Sequence, residues 1–312
     1  MASPAGVAAV APKASLRSLL KKGELLICPG VFDGISLRLA EQTGFPALYM
    51  TGFGTVGSHL GLPDAGLASY RDMVERVRVL AGLSSVPLVC DADTGFGGLL
   101  NVQHTVRGYE AAGASAIQLE DQEFPKKCGH TPGRRVIPIE QAVAKIKVAV
   151  EARTSKDFLI IARTDARTSL GLDEALRRGR AFADAGADII FVESPETEEE
   201  LRRIGATLGD VPLLVNVVEG GKTPVLSRQR YAELGFQIAI FPATAFLAMG
   251  KALSKVYGEL KSTGSAVGCK DDVADFKGFC GTMGFEDVWS FDKAHADIEE
   301  EVKERLKKQR TQ

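Results

Sequence analysis

The sequence is short of the features that would send it to a membrane, a nucleic acid or an oxidising compartment. No apolar run approaches the roughly 18 residues of a membrane span. Positive charge is not in excess: 38 Lys and Arg face 40 Asp and Glu, a formal net charge of −2, whereas a nucleic-acid footprint needs a basic surplus gathered on one face. There are five cysteines, Cys28, Cys90, Cys128, Cys269 and Cys280, an odd count with no CxxC pair, which reads as free thiols in a reducing compartment. The opening stretch MASPAGVAAVAPKASL has no acid, no arginine and one lysine. It is too poor in arginine and too short for a transit peptide, so residues 1–16 are expected to form a flexible terminus and the protein to be cytoplasmic. What is present is ordinary for a globular chain, 45% hydrophobic and 25% charged over 312 residues, enough for one large α/β barrel or two average domains.

Eight short apolar runs end in polar residues: ELLICPGVFD (24–33), PALYMTGFG (46–54), VPLVCDADTG (86–95), AIQLEDQ (116–122), FLIIARTDA (158–166), DIIFVES (188–194), PLLVNVVEG (212–220) and QIAIFPA (237–243). None shows the strict alternation of a half-exposed sheet, which suits parallel strands covered on both faces. Helical patterns lie between them, among them LLNVQHTVRGYEAAGA, IEQAVAKIKVAVEAR, LDEALRRGRAFADAGA and TEEELRRIGATLG, several closing on a glycine stop signal. The alternation predicts an α/β fold, a (β/α)8 TIM barrel. An open doubly wound sheet competes, but no GxGxxG turn follows the first run, and polar residues close nearly every run instead of gathering at one switch point. The barrel is expected over residues 17–265. Residues 266–312 are left as a helical extension whose Phe276, Phe279, Phe285, Trp289 and Phe291 are spaced to pack on something, most naturally a neighbouring subunit.

In a barrel those run ends converge on one mouth. DADTGFGG places Asp91 and Asp93 two apart on the third strand, so both are expected to point the same way. LEDQ adds Glu120 and Asp121, and LGLPD adds Asp64. Collected carboxylates repel unless a cation sits among them. A hard divalent metal answers that need, and few carboxylates with open water positions suit Mg²⁺, with Mn²⁺ as a substitute. Arg163 in IIARTDA offers a planar fork for a substrate carboxylate. The turn YMTGFG, with Tyr49, Thr51, Gly52 and Phe53, offers backbone N–H groups and a hydroxyl. Glu193 and Asn216 close the sixth and seventh runs. Against these stand plainer roles: solvated acids, a structural ion pair, a tight turn.

The stretch EDQEFPKKCGHTPG (120–133) then sets Cys128 between Lys126, Lys127, Gly129 and His130 in a loop punctuated by glycine and proline. Its cationic neighbours are expected to lower the thiol's pKa. Metal ligation lacks a second Cys or His at ligand spacing. Covalent catalysis lacks an evident base. Proton transfer to a carbanion on a metal-bound substrate fits best, with a loop able to open and close.

DADTGFG, EDQ, KKCGH and ARTDA, in this order, resemble the isocitrate lyase/phosphoenolpyruvate mutase superfamily over about residues 15–300. The cysteine loop resembles its short lyase branch of methylisocitrate, dimethylmalate and petal-death-type lyases and oxaloacetate hydrolase. The resemblance implies a Mg²⁺-dependent barrel, assembled as a homotetramer with exchanged C-terminal helices. It makes Asp91 the direct metal ligand, with Asp64, Asp93 and Glu120 holding the metal's waters. It makes Cys128 the general acid, and Thr51, Gly52, Phe53, Lys127, Gly129, His130, Arg163, Glu193 and Asn216 the contacts of a small dicarboxylate. Tyr49 and a metal-bound water are the candidates for the base. Phosphonopyruvate hydrolase and phosphoenolpyruvate mutase are the alternatives, but such relatives carry an asparagine-containing loop in place of KKCGH. A catalytically silent barrel serving as a binding protein would need a broken acid set or a replaced cysteine, and neither is seen.

Overall fold

The computed structural model describes residues 13–310. Among them, eight parallel strands close into a barrel in chain order: β1 Leu26–Val31, β2 Leu48–Met50, β3 Leu88–Asp91, β4 Ala116–Glu120, β5 Leu159–Thr164, β6 Ile189–Val192, β7 Leu213–Asn216 and β8 Ile238–Phe241. Each strand falls within one of the eight apolar runs, and Leu26 of β1 pairs with Ile238 of β8 to complete the ring. The expected (β/α)8 fold is the observed one.

Side chains on successive strand positions face opposite sides, and two buried clusters follow from this. Val89, Ala116, Leu159, Ile161, Ile189, Phe191, Leu214 and Ile238 fill the barrel interior, while Cys90, Ile117, Ile160, Ala162 and Ile190 pack outward against the helices. Continuing the inward series towards the strand ends brings up Asp91, Glu120, Arg163, Glu193 and Asn216. The alternation that fills the core therefore also aims the polar groups at one mouth.

The intervening helices start on local signals. Asp33 and Ser69 form capping boxes ahead of Gly34–Gln42 and Tyr70–Leu83, and Thr197 caps Glu198–Leu208, whose first turn carries three glutamates. Both devices satisfy or complement the free N–H groups of a helix start.

Residues 1–12 of the terminus expected to be flexible lie outside the described residues. Residues 13–16 are instead tied down. Lys13 Nζ donates to Ala81 O at 2.7 Å, Ser15 Oγ donates to Asp157, and Leu16 is fully buried within the interior cluster with Ala47, Ala116 and Leu159. Those partners start or precede strands, so Leu16 stops the end of the barrel opposite the mouth.

The chain forms two compact units, one ending at Gly250 and the other beginning at Lys251. The division falls inside the helix Thr244–Thr263, ahead of the expected boundary at residue 265. The second unit carries the helices Phe276–Thr282, Phe285–His295 and Ile298–Arg310. Phe276, Phe285, Trp289 and Phe291 are exposed, Phe276 to 84% and Phe291 to 60%, while Phe279 is half-buried.

Candidate active site

Asp91 ends β3 and is clamped by donors from three elements. Its Oδ1 accepts from Asp93 N at 3.1 Å and Gln118 Nε2 at 3.4 Å, and its Oδ2 accepts from Gly52 N at 3.3 Å. Gly52 opens the helix Gly52–Leu60, with Thr51 as its cap, so the amide expected to meet substrate is turned to Asp91. There is no room there for a side chain: a Cβ on Gly52 would lie 2.5 Å from Asp91 Oδ2. Gln118 is oriented in turn by the Tyr49 hydroxyl, which donates to its Oε1 at 3.0 Å. Burial, reinforced by Asp91, pushes the Tyr49 phenol well above its usual range. That keeps it protonated, the wrong form for a base, so Tyr49 orients Gln118 and does not fit the base role.

Asp93 does not continue the strand beside Asp91 as expected. Its φ of 48° is left-handed and turns the chain out of the sheet. This brings Asp93 to Lys126, whose Nζ lies 2.6 Å from Asp93 Oδ1 and also contacts Asp64 Oδ1. All three side chains are nearly inaccessible to solvent. Burial pushes Asp93 up to about 7, with Lys126 opposing and Asp91 and Asp64 adding to the rise. Lys126 keeps its charge, because the acids outweigh the penalty of burial. The cation that the acids require is thus in place as an ammonium, donated by the cysteine loop. Lys127, the lysine expected at the substrate, is exposed but does line the cavity, and its ammonium reaches Gly133 O at 3.4 Å.

A divalent ion would fit at Asp91, beside the ammonium and not in its place. The ammonium already sits between Asp64 and Asp93, and the Asp91 oxygens accept only bonds of 3.1 Å or longer. Among the described residues no three His, Cys, Asp or Glu side chains converge into a metal cage. Asp91, which lines the cavity, would hold such an ion with waters completing its shell, the habit of Mg²⁺.

Arg163 differs from expectation. Its fork is spent on Asp165, with Nε to Oδ2 and Nη2 to Oδ1 both at 2.9 Å. What remains is Nη1, 3.4 Å from Glu120 Oε2, and the outer edge of Nη2, 3.3 Å from Glu193 Oε2. Asp165 Oδ1 also accepts from Arg134 Nη1 at 2.6 Å. Against the penalty of burial, Arg163 and then Arg134 hold the Asp165 carboxyl below the usual range. Glu193 Oε2 accepts from Asn216 Nδ2 at 3.1 Å, and that same nitrogen lies 3.2 Å from His130 Nε2. Asp121 faces away, accepting from Thr164, Asp165 N and Arg178.

The cysteine loop is pinned at its neck, where Gln122 bridges to Val136 and Glu123 N donates to Arg135 O at 2.9 Å. Its tip lies on the mouth. Cys128 N donates to Asp64 O at 3.1 Å, and Ser194 Oγ donates to Gly129 O at 2.9 Å. A Cβ on Gly129 would lie 2.6 Å from both Arg163 and Glu193, so glycine permits this approach. The Cys128 thiol is pushed up, not down: burial outweighs the His130 amide and the more distant Arg163 and Lys126. The lysine expected to lower it spends its charge on Asp64 and Asp93. Burial also pulls the His130 imidazole down, with Glu193 opposing.

Beneath the loop lies a cavity of about 210 Å³, the scale of a small organic acid; drug-sized ligands take about 300–1,000 Å³. Asp64, Asp91, Lys126, Arg163 and Asn216 supply the charged and polar part of its lining. Phe53, Val218, Ile240, Pro242, Ala243 and Leu247 supply an apolar wall, and Cys128, Gly129 and His130 also line the cavity. Phe53 is steadied edge-to-face by Phe246, with ring centroids 5.6 Å apart. Glu120 is absent from this lining.

A parallel barrel with a loaded thiol, buried acids, an ammonium and an arginine around one small cavity is an enzyme for a small anion. The profile of the phosphoenolpyruvate phosphomutase family matches residues 16–261. The 2,3-dimethylmalate lyase of Eubacterium barkeri is 46% identical over 275 residues, covering 88% of this chain and 95% of that one. A solved structure of oxaloacetate acetylhydrolase in complex with the inhibitor 3,3-difluorooxalacetate superposes with a TM-score of 0.85 at 37% identity, covering 90% of this chain and 96% of that one. One of phosphonopyruvate hydrolase in complex with oxalate and Mg²⁺ gives 0.80 at 33%, covering 89% and 97%. The chain belongs to the isocitrate lyase/phosphoenolpyruvate mutase superfamily, and it is a carbon–carbon lyase.

Sequence reasoning missed Gln118, Asp165, Arg134 and Ser194, and it saw Lys126 only as a neighbour of the thiol. Asp165 had a readable signal, since it stands two residues after Arg163, on the same side of an extended chain. The others come together only through the fold.

Proposed function

We propose that the protein cleaves the C2–C3 bond of a small 2-hydroxy or 2-oxo dicarboxylate in a Mg²⁺-dependent reaction. The observation that carries this reading is a protonated, half-buried thiol on a cavity lined both by an acid and ammonium cluster and by apolar side chains. Asp91 is the direct ligand in this reading, with Asp64, Asp93 and Glu120 accepting from the metal's waters. Bound there, magnesium supplies a Lewis acid that stabilises negative charge on the substrate's C2 oxygen and carboxylate.

The chain's own groups do the rest. Arg163 Nη1 and the Asn216 amide orient the anionic ends of the substrate. The C2 hydroxyl, which a 2-oxo acid gains by adding water at its carbonyl, gives its proton to a water in the cavity as the C2–C3 electron pair departs with C3 and a C2 carbonyl forms. Cys128 delivers its Sγ proton to the C3 carbanion, for which a thiol held in the protonated form is the required state. The loop that carries Cys128 keeps water from quenching the carbanion.

The apolar wall favours a substrate with a methyl on C3, such as 2,3-dimethylmalate, over the bare C3 of oxaloacetate and over 2-methylisocitrate, whose C3 carries a charged carboxymethyl group. The exposed aromatics of the second unit are the surface through which the chain assembles as a homotetramer with exchanged C-terminal helices, because uncovered apolar surface of that kind marks an interface. The test is product release from a panel of 2,3-dimethylmalate, 2-methylisocitrate, oxaloacetate and phosphonopyruvate, with Mg²⁺ and with chelator, for wild type and Cys128→Ser. Magnesium-dependent cleavage of one dicarboxylate, lost in the variant, supports the reading. Turnover of phosphonopyruvate alone, indifferent to the thiol, overturns it.

A further inference from the structure

A second, much smaller chamber of about 10 Å³ lies between the ends of β3 to β5 and the surrounding helices. Val102, Leu119, Ile146 and Phe182 form its apolar walls, and Glu120 and Lys145 bring charge to it. Glu120 lines this chamber and not the substrate cavity. It is 4% exposed, and its Oε1 has no hydrogen-bond partner among the described residues. Lys145 reaches in from the helix Ile139–Ala152 and donates to Thr94 O at 2.9 Å. An ammonium carries three donors, so that bond does not exhaust it.

An unpartnered buried carboxylate oxygen is costly, and in folded proteins such groups are met by a partner or by ordered water. The chamber has about the volume of one water molecule and the two or more polar groups that a buried water requires. We propose that it holds a single ordered water bridging Lys145 Nζ and Glu120 Oε1, which makes Lys145 a positioning residue acting through the barrel wall. Glu120 is then held at both oxygens, by the water at Oε1 and by Arg163 Nη1, 3.4 Å from Oε2. Its functional consequence rests on the reading of Glu120 as part of the metal-holding set. Outer partners of that kind change metal affinity by about 10–100-fold when removed.

The experiment is a crystal structure of the full chain at a resolution that shows ordered water, together with Mn²⁺ titration of wild type and Lys145→Met followed by electron paramagnetic resonance. The expected results are a water within hydrogen-bond distance of Glu120 Oε1 and Lys145 Nζ, and Mn²⁺ binding about tenfold weaker in a variant that unfolds at the wild-type temperature. A dry chamber in the wild-type crystal overturns the proposal, whether or not the variant folds. Unchanged Mn²⁺ affinity in folded Lys145→Met overturns the positioning role. Wild type that takes up no Mn²⁺ defeats the metal reading separately, while the water is still judged by its density.

Discussion

Replacing Gly129 with alanine tests whether the closed position of the cysteine loop is the working one. The added methyl would lie 2.6 Å from Arg163 Nη2 and 2.6 Å from Glu193 Oε2, about 1 Å inside ordinary contact. Neither neighbour can retreat freely: Arg163 is locked by two bonds to Asp165, and Glu193 is held by Asn216 and by Ser194 N. Overpacking of this kind costs about 1–3 kcal/mol, and here the cost falls on the closed loop, because the tip can lift while the barrel stays folded. The closed population, and with it kcat/KM for 2,3-dimethylmalate, should fall about 5- to 160-fold. The unfolding temperature should move by no more than about 2 °C, since the barrel is untouched. Alkylation of Cys128 by iodoacetamide should quicken as the half-buried thiol spends more time in solvent. A variant that retains kcat/KM within twofold of wild type would refute the reasoning, because the observed loop position would then be irrelevant to turnover.

Lys126→Met removes the ammonium between Asp64 and Asp93 and should cost less in chelator than the about 3–5 kcal/mol of breaking a buried ion pair, because Asp93, already near 7, takes up a proton at pH 7 at little further cost. Mg²⁺ at about 100 times its Kd should return about 2.7 kcal/mol, and urea unfolding that shows equal stability with and without the lysine removes it as the cluster's counter-charge. The Cys128 thiol is raised above its ordinary 9.0 and acts while protonated, so its contribution is complete below that value. Activity should decline only as pH climbs past about 9, and an alkaline limb centred below pH 8 would contradict the assignment. Tyr49→Phe strips Gln118 Oε1 of its donor and loosens Asp91, so calorimetry should find Mg²⁺ binding about tenfold weaker with turnover reduced but present. Turnover abolished at unchanged affinity would return Tyr49 to the role of base.

The barrel was legible because a parallel strand buried on both faces has to be a short apolar run, and eight such runs have few architectures open to them. The positions of Asp91, Glu120, Arg163, Glu193 and Asn216 followed from the same alternation. What the sequence concealed were the choices among partners. Arg163 has several carboxylates within reach of a strand end, and only the fold awards its fork to Asp165. Asp93 reads as a continuation of the strand, yet a left-handed φ turns it to Lys126. Cys128 shows three cationic neighbours in sequence, and the direction of its shift depends on burial, which charge spacing does not report.

Side chains from Val89 to Ile238 fill the barrel interior, with Leu16 at the end remote from Cys128, and this governs the traffic of the reaction. With that end stopped, the substrate arrives and both halves of it depart by one doorway beneath a single flap. The fragments cannot leave on opposite sides, so they queue: the piece nearer the flap goes first, and the piece nearer Asp91 follows. The order of release is thus written into the architecture, and patterns of product inhibition will disclose it.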